Sequence, residues 1–256
     1  MKTVKTLLLS DIHLEFKSGA EDIICPPPDD VELIILAGDI GGNSQDTIEW
    51  IANYAKGREV IYVLGNHEYY GNIFPDEVES IKHAASGYPN IHVLENETFI
   101  YKDTVFLGCT LWTDFNLFGT PEFSENECRK LADFSHINTD HGLIQPKDIR
   151  KAHQQSLAWL TGELKKYQDK NVVVVTHHLP VHQAVSERFY WHPMSPGFAS
   201  DLSSILKTYK PGLWLCGHTH DLVDVTYEET RILVCPMGYM DENHHPAGYA
   251  GLVIEV

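Results

Sequence analysis

Short apolar runs alternate with amphipathic helical patterns through the first half of the chain. Val4–Leu9, Leu33–Ala37 and Val60–Leu64 are rich in leucine and β-branched residues, and each is closed by Ser-Asp or a glycine, the pattern of buried strands. Helices are predicted between them over 45–56 and 75–86. Strands that are apolar on both faces, alternating with helices, predict a layered α/β fold in which helices cover the sheets. Phe99–Tyr101 and Thr104–Trp112 predict a hairpin turning at Lys102-Asp103, and 113–145 an excursion over the domain. From Pro146 the helical period returns, with Ile149, Ala152, Ser156, Trp159, Leu160 and Leu164 on one face. Pro146 suits the first turn, where its missing N–H does no harm. Val172–Val175 predicts another buried strand, 179–199 a loop with three prolines, and Ser200-Asp201 the start of a short helix. Further strands are predicted at Leu213–Cys216, Leu222–Thr226, Arg231–Cys235 and Leu252–Val256. No repeat, low-complexity tract or linker interrupts the pattern, so one domain over 1–256 is expected.

Composition narrows the partners. The hydrophobic fraction of 43% is that of a globular chain, and no apolar run approaches the ~20 residues of a membrane helix. Leu7-Leu8-Leu9 stops at Ser10-Asp11, short of the roughly 7–15 apolar residues of a secretory signal, which predicts a first strand and no targeting segment. The five cysteines (25, 109, 128, 216 and 235) are widely spaced without a C-x-x-C pair, which predicts reduced thiols in a cytoplasmic protein. A formal net charge of −17, from 19 basic and 36 acidic residues, would repel duplex nucleic acid. Bound divalent cations would invert that charge locally, so a nuclease is disfavoured by the balance without being ruled out.

The chemistry sits just past the strands. Asp11-Ile12-His13 follows the first, Gly38-Asp39 the second and Gly65-Asn66-His67-Glu68 the third. Thr176-His177-His178 follows Val172–Val175, and Gly217-His218-Thr219-His220 follows Leu213–Cys216. Five predicted strands thus deliver Asp, His or Asn to one edge, the place where open α/β sheets bind ligands. Carboxylate, imidazole and amide-oxygen donors without sulfur suit Mn, Fe or Zn. A bridging Asp can hold two such ions roughly 3.5–4 Å apart on one phosphoryl group. Glycines beside the ligands allow sharp turns and close approach of a bulky anion. Taken singly, these motifs are weak. His218 and His220 would even point to opposite faces of a straight strand, and need a bend to converge. Their joint order at strand ends is what identifies a shared metal site.

D-x-H, G-D, G-N-H-E, a strand-terminal His and G-H-x-H together resemble the calcineurin-like metallophosphoesterase superfamily, over residues 11 to 220. The resemblance implies a two-sheet αββα sandwich with a dinuclear metal centre at the strand C-terminal edge. It implies that Asp11, His13, Asp39 and His220 bind one metal, and that Asp39 bridges to a second held by Asn66, His177 and His218. It makes His67 the general acid facing the substrate. Protein phosphatases of the superfamily carry Asp-Arg-Gly shortly after G-D, whereas Gly38-Asp39 continues Ile40-Gly41-Gly42-Asn43 here. The phosphate-clamping Arg and the acidic residue that orients the catalytic His are both missing from that motif. Gly42 stands where purple acid phosphatases place a Tyr ligand.

The function expected is hydrolysis of a small phosphoester, with nucleotides among the candidates, by in-line attack of a hydroxide activated at two divalent ions (Mn, Fe or Zn), with His67 protonating the leaving oxygen. A diester is slightly preferred because the Arg that would clamp a dianionic monoester is lacking. The alternatives are a phosphomonoesterase acting on a small molecule or phosphoprotein, and a non-catalytic binding module on the same fold. His178 divides between supporting a ligand and a structural role. His182, His192, His244 and His245 are expected to be solvated loop residues, the first two near the pocket. Trp112, Phe115, Phe118, Tyr190 and Trp191 are expected to pack the excursion loops rather than stack on a substrate. Glu68 is expected to support its own loop. Oligomeric state has no signature in the sequence.

Overall fold

A computed structural model of the protein describes residues 3–16, 23–239, 242 and 248–256. His244 and His245 lie outside the described residues. Two sheets stack face to face. The first has the order β13-β1-β2-β3-β4, with β1 (Lys5–Leu9), β2 (Leu33–Ala37), β3 (Glu59–Val63) and β4 (Ile91–Val93) parallel and β13 (Leu252–Glu255) antiparallel to β1. The second has the order β11-β12-β10-β9-β6-β5. Its centre, β6 (Thr104–Cys109), β9 (Asn171–Thr176), β10 (Leu213–Cys216) and β12 (Thr230–Val234), is parallel. The hairpin partners β5 (Glu97–Tyr101) and β11 (Val223–Tyr227) run antiparallel at its edges.

Period-two alternation in the second sheet divides the core. Val173, Val175, Leu215 and Leu233 face the first sheet, whereas Val172, Val174, Trp214, Ile232 and Val234 pack with Leu160 and Leu164 of the helix Pro146–Lys166. The first sheet is covered by the helices Ser44–Ala55 and Glu77–Ala85 through Ile48, Ile51, Val78 and Ile81. Helix–sheet–sheet–helix is therefore the layer order, the α/β sandwich expected. Among the described residues no helix is long and apolar enough to cross a membrane. Cys109, Cys128, Cys216 and Cys235 are buried free thiols.

Differences from expectation are local. The strand predicted to run to Trp112 ends at Cys109, because Leu111 and Trp112 turn with φ of 72° and 55°. The three-residue β4 carries too little pattern to be read in advance. The excursion 113–145 holds two helices, Pro121–Cys128 and Asp133–His136, and a small hairpin of β7 (Asn138–Thr139) with β8 (Gly142–Leu143). The helix expected near Ser200 begins at Ser203.

Because the central strands of each sheet are parallel, their carboxyl ends share an edge. The ligand-type residues do not lie along one sheet, however. Asp11, His13, Asp39, Asn66 and His67 follow β1, β2 and β3, whereas His177, His218 and His220 follow β9 and β10 of the other sheet. The site is a seam between sheets. Beyond β12 the chain crosses that seam: Met237 N–H donates to Ser10 O (2.9 Å) and Gly238 N–H to Asp11 O (3.0 Å).

Candidate metal centre

Backbone geometry aims the side chains. Asp11, His13, Asp39, His218 and His220 all lie in the left-handed region, with φ of 53°, 53°, 55°, 76° and 51°. Non-glycine residues rarely adopt it, and such strain concentrates at functional positions. In G-H-x-H it supplies the bend that lets two alternate histidines converge. The glycines make room for ligands rather than for an incoming anion. A Cβ on Gly38 would lie 2.3 Å from His177 Nδ1, on Gly65 2.1 Å from Asp39 Oδ1, and on Gly217 2.7 Å from Asp11 Oδ2.

Two groups of donor atoms result. His13 Nε2 lies 3.0 Å from His220 Nε2, which is 3.6 Å from Asp11 Oδ1. His177 Nε2 lies 3.1 Å from His218 Nδ1, 3.1 Å from Asn66 Oδ1 and 3.3 Å from Asp39 Oδ2. Asp39 Oδ2 is also 3.9 Å from His13 Nε2, which places it between the groups. Metal bonds of about 2.0–2.1 Å at ordinary interligand angles separate neighbouring donors by about 2.9–3.4 Å, so these spacings fit divalent cations. The Asp11–His220 separation is slightly wider. Asp11 Oδ2 is buried without a hydrogen-bond partner, a desolvated anion that a cation would satisfy. The seven residues expected as ligands are thus brought together, and His67 borders them.

The surroundings set the orientation of each ring. His177 Nδ1 donates to Ala37 O (2.9 Å), leaving Nε2 to face the cluster. Asn66 Nδ2 donates to Asp133 Oδ1 (2.8 Å), as does Tyr70 OH (2.7 Å), which turns the Asn66 oxygen inward. His220 Nδ1 pairs with Glu242 Oε2 at 2.5 Å. Glu68 supports its loop as expected, and more widely: its carboxylate accepts from the backbone N–H of Asp39, Ile40 and Gly65 and from Tyr62 OH, at 2.7–3.1 Å. His178 is buried with Nδ1 against Thr110 O at 3.3 Å and its ring 4.4 Å from that of His218.

His67 is held on three sides. Its Nδ1 lies 2.8 Å from Glu15 Oε1, Tyr70 stacks on its face at 4.1 Å, and His13 meets it edge-on at 4.4 Å. Its Nε2 points the other way, 3.2 Å from Tyr239 OH. Burial disfavours the imidazolium, but the Asp39 and Glu15 carboxylates outweigh it and raise His67 to about 9. Burial likewise opposes ionisation of Asp39, yet the imidazoles of His177, His67 and His13 hold its carboxyl well below the usual range. Burial, then the neighbouring His178 and His177, push His218 well below an ordinary histidine, whereas at His177 the Asp39 carboxylate outweighs burial and raises it to about 10.

A cavity of about 210 Å³ opens over the cluster, lined by His67, Asn66, His218 and His220 together with Arg188 and Tyr239. Glu15, Asp133, Tyr239, Glu242 and Arg188 were not among the expected site residues. Only Glu15 had a local signal, a carboxylate two residues past His13. Trp112 and Phe115 are buried core residues, as their packing role required, whereas Trp191 is 76% exposed. Phe118 packs against His182 and Trp191 at 5.2 and 5.8 Å, and Tyr190 stacks on His182 at 3.8 Å.

Comparison with known proteins bears on the family and the fold. A family model described as calcineurin-like phosphoesterase matches residues 4–222. An uncharacterised protein of Acanthamoeba polyphaga mimivirus is 28% identical over 278 residues, spanning 96% of this chain and 95% of its own. The phosphopantetheinyl hydrolase of Mycobacterium tuberculosis aligns over 99% of this chain and 96% of its own, with a TM-score of 0.73 at 16% identity, a likeness of fold.

Proposed function

Because the chain belongs to the calcineurin-like phosphoesterase family, we propose that it hydrolyses a small phosphodiester at a dinuclear centre. Asp11, His13 and His220 would hold one divalent cation, and Asn66, His177 and His218 a second, with Asp39 shared between the two groups. The observation that carries this reading is the convergence of histidine, carboxylate and amide donors from both sheets at 3.0–3.6 Å around Asp39. Nitrogen and oxygen donors without thiolate favour Mn, Fe or Zn. When bound, the cations supply Lewis acidity that acidifies water and offsets charge growing on the phosphoryl oxygens.

The protein's own part is positioning and proton transfer. Glu15 fixes Nδ1 of His67, Tyr70 fixes its plane, and Nε2 lies 3.2 Å from the hydroxyl of Tyr239, which lines the cavity with it. As water adds to phosphorus and the ester P–O bond breaks, His67 gives the Nε2 proton to the departing oxygen. The Glu15 carboxylate against Nδ1 favours the protonated ring. Glu15 thus takes the orienting role for which the G-D motif offers no residue. The diester preference rests on the lack of an Arg in that motif. The free thiols of Cys109, Cys128, Cys216 and Cys235 and the acidic composition fit a cytoplasmic enzyme acting on small molecules.

The test is metal analysis combined with a substrate panel. Protein reconstituted with Mn should bind two equivalents and hydrolyse bis(p-nitrophenyl) phosphate faster than p-nitrophenyl phosphate. A maximum of one equivalent overturns the dinuclear centre, and the reverse preference overturns the diester assignment.

A further inference from the structure

Arg188 stands apart in the cavity above the ligand cluster. The lining carries the carboxylates Asp39, Asp133 and Glu242, and Arg188 is the one Lys or Arg among the described residues lining it. Its guanidinium is held in place on two sides. Nε donates to Asp221 Oδ2 at 2.8 Å, and the carbon of the group lies 4.5 Å from the Phe189 ring centroid. Asp221 also accepts from Ser186 Oγ at 2.5 Å and directly follows His220 in the chain, so the arginine is set in register with the ligands. The terminal nitrogens make no hydrogen bond to a described residue. An ion pair this exposed contributes little to stability. What the pair and the stack accomplish is orientation of a planar fork that suits phosphate oxygens.

The depth of the arginine separates its role from that of the cluster. Its side chain is 47% exposed, whereas those of Asp39, His67 and His220 are 2%, 8% and 10% exposed. With the scissile phosphoryl placed at Asp39 and His67, as in the reading above, the more exposed Arg188 lies nearer the solvent. We propose that Arg188 is a specificity-determining residue that binds a second phosphate of the substrate, outside the scissile ester. This rests on the phosphodiesterase reading and narrows it to phosphodiesters bearing an additional phosphate close to the bond that breaks.

The test uses a matched pair on Mn-loaded, full-length protein: thymidine 5′-(p-nitrophenyl phosphate) and the same compound carrying a 3′-phosphate. Scissile bond and leaving group are identical, so the ratio of the two kcat/KM values isolates the second phosphate. The wild type should favour the 3′-phosphorylated compound by about ten-fold or more, mainly through KM. R188A should bring the ratio close to one, and R188K should retain an intermediate ratio, because a point charge replaces the fork. No preference in the wild type, or the full preference in R188A, overturns the proposal. Equal loss on both compounds in R188A also overturns it, placing the arginine on the scissile group. If neither compound is hydrolysed, the phosphodiesterase reading itself fails. Calorimetric binding of thymidine 3′,5′-bisphosphate against thymidine 5′-monophosphate then decides the role of Arg188: tighter bisphosphate binding lost in R188A upholds it, and equal binding in the wild type overturns it.

Discussion

Glu15 Oε1 lies 2.8 Å from Nδ1 of His67 and 3.1 Å from Nδ1 of His13, so one carboxylate steadies both a metal-ligand candidate and the proposed acid. Burial opposes its ionisation, but hydrogen bonds from His13 and His67 outweigh that and lower it to about 2. Residues that orient metal ligands typically cost about 10–100-fold in affinity or activity when removed. Glu15→Ala should therefore lose about 10–100-fold in kcat on an alkyl diester. Restoration of wild-type turnover by Glu15→Gln would show that the charge is unimportant.

His67→Ala separates proton transfer from metal binding. Positioned proton donation contributes about 10²–10⁴-fold where the leaving group is a poor one. The variant should keep its full metal content, lose a factor in that range on alkyl or nucleoside diesters, and lose far less on p-nitrophenyl esters. Equal losses on good and poor leaving groups, with chemistry rate-limiting, would make His67 a phosphoryl-positioning residue instead.

Asp39→Asn retains size but removes the charge shared by both donor groups. Metal content measured after reconstitution should fall at both sites together, whereas His13→Ala should empty mainly one. Full occupancy with near-normal turnover in Asp39→Asn would rule out the bridge.

Glu68→Ala tests the scaffold below the site. Removing its carboxylate strands three backbone N–H groups and the Tyr62 hydroxyl in a buried setting. A buried group left without a partner costs about 1–3 kcal/mol. With several stranded at once, the loss of unfolding free energy should reach about 3–5 kcal/mol, read by urea denaturation of the metal-free protein. A loss under about 1 kcal/mol would mean that water replaces the carboxylate.

The strands and the candidate-ligand motifs were legible because both are local. A buried strand announces itself as an apolar run, and each ligand sits within a few residues of its end. The partners that orient those ligands come from far along the chain. Asp133 reaches Asn66 across 67 positions and Tyr239 reaches His67 across 172. Such contacts depend on the path of irregular segments, which carries no periodicity. The split of the candidate ligands between sheets was equally hidden, since β4 to β8 intervene between β3 and β9 without contributing one. Gly65 could be recognised as special, but its purpose, clearance for the Asp39 carboxylate, requires coordinates.

The seam has a mechanical consequence. Each proposed cation draws donors from both sheets, and the backbone crossing at Met237 and Gly238 ties the same two edges together. Cations there would rivet one half of the sandwich to the other, so occupancy and cohesion of the halves draw on a single free energy. A substitution deep between the sheets, such as at Val175 or Leu215, would then be felt as weakened cation affinity, and chelation as a loosening of apolar packing well away from the chemistry.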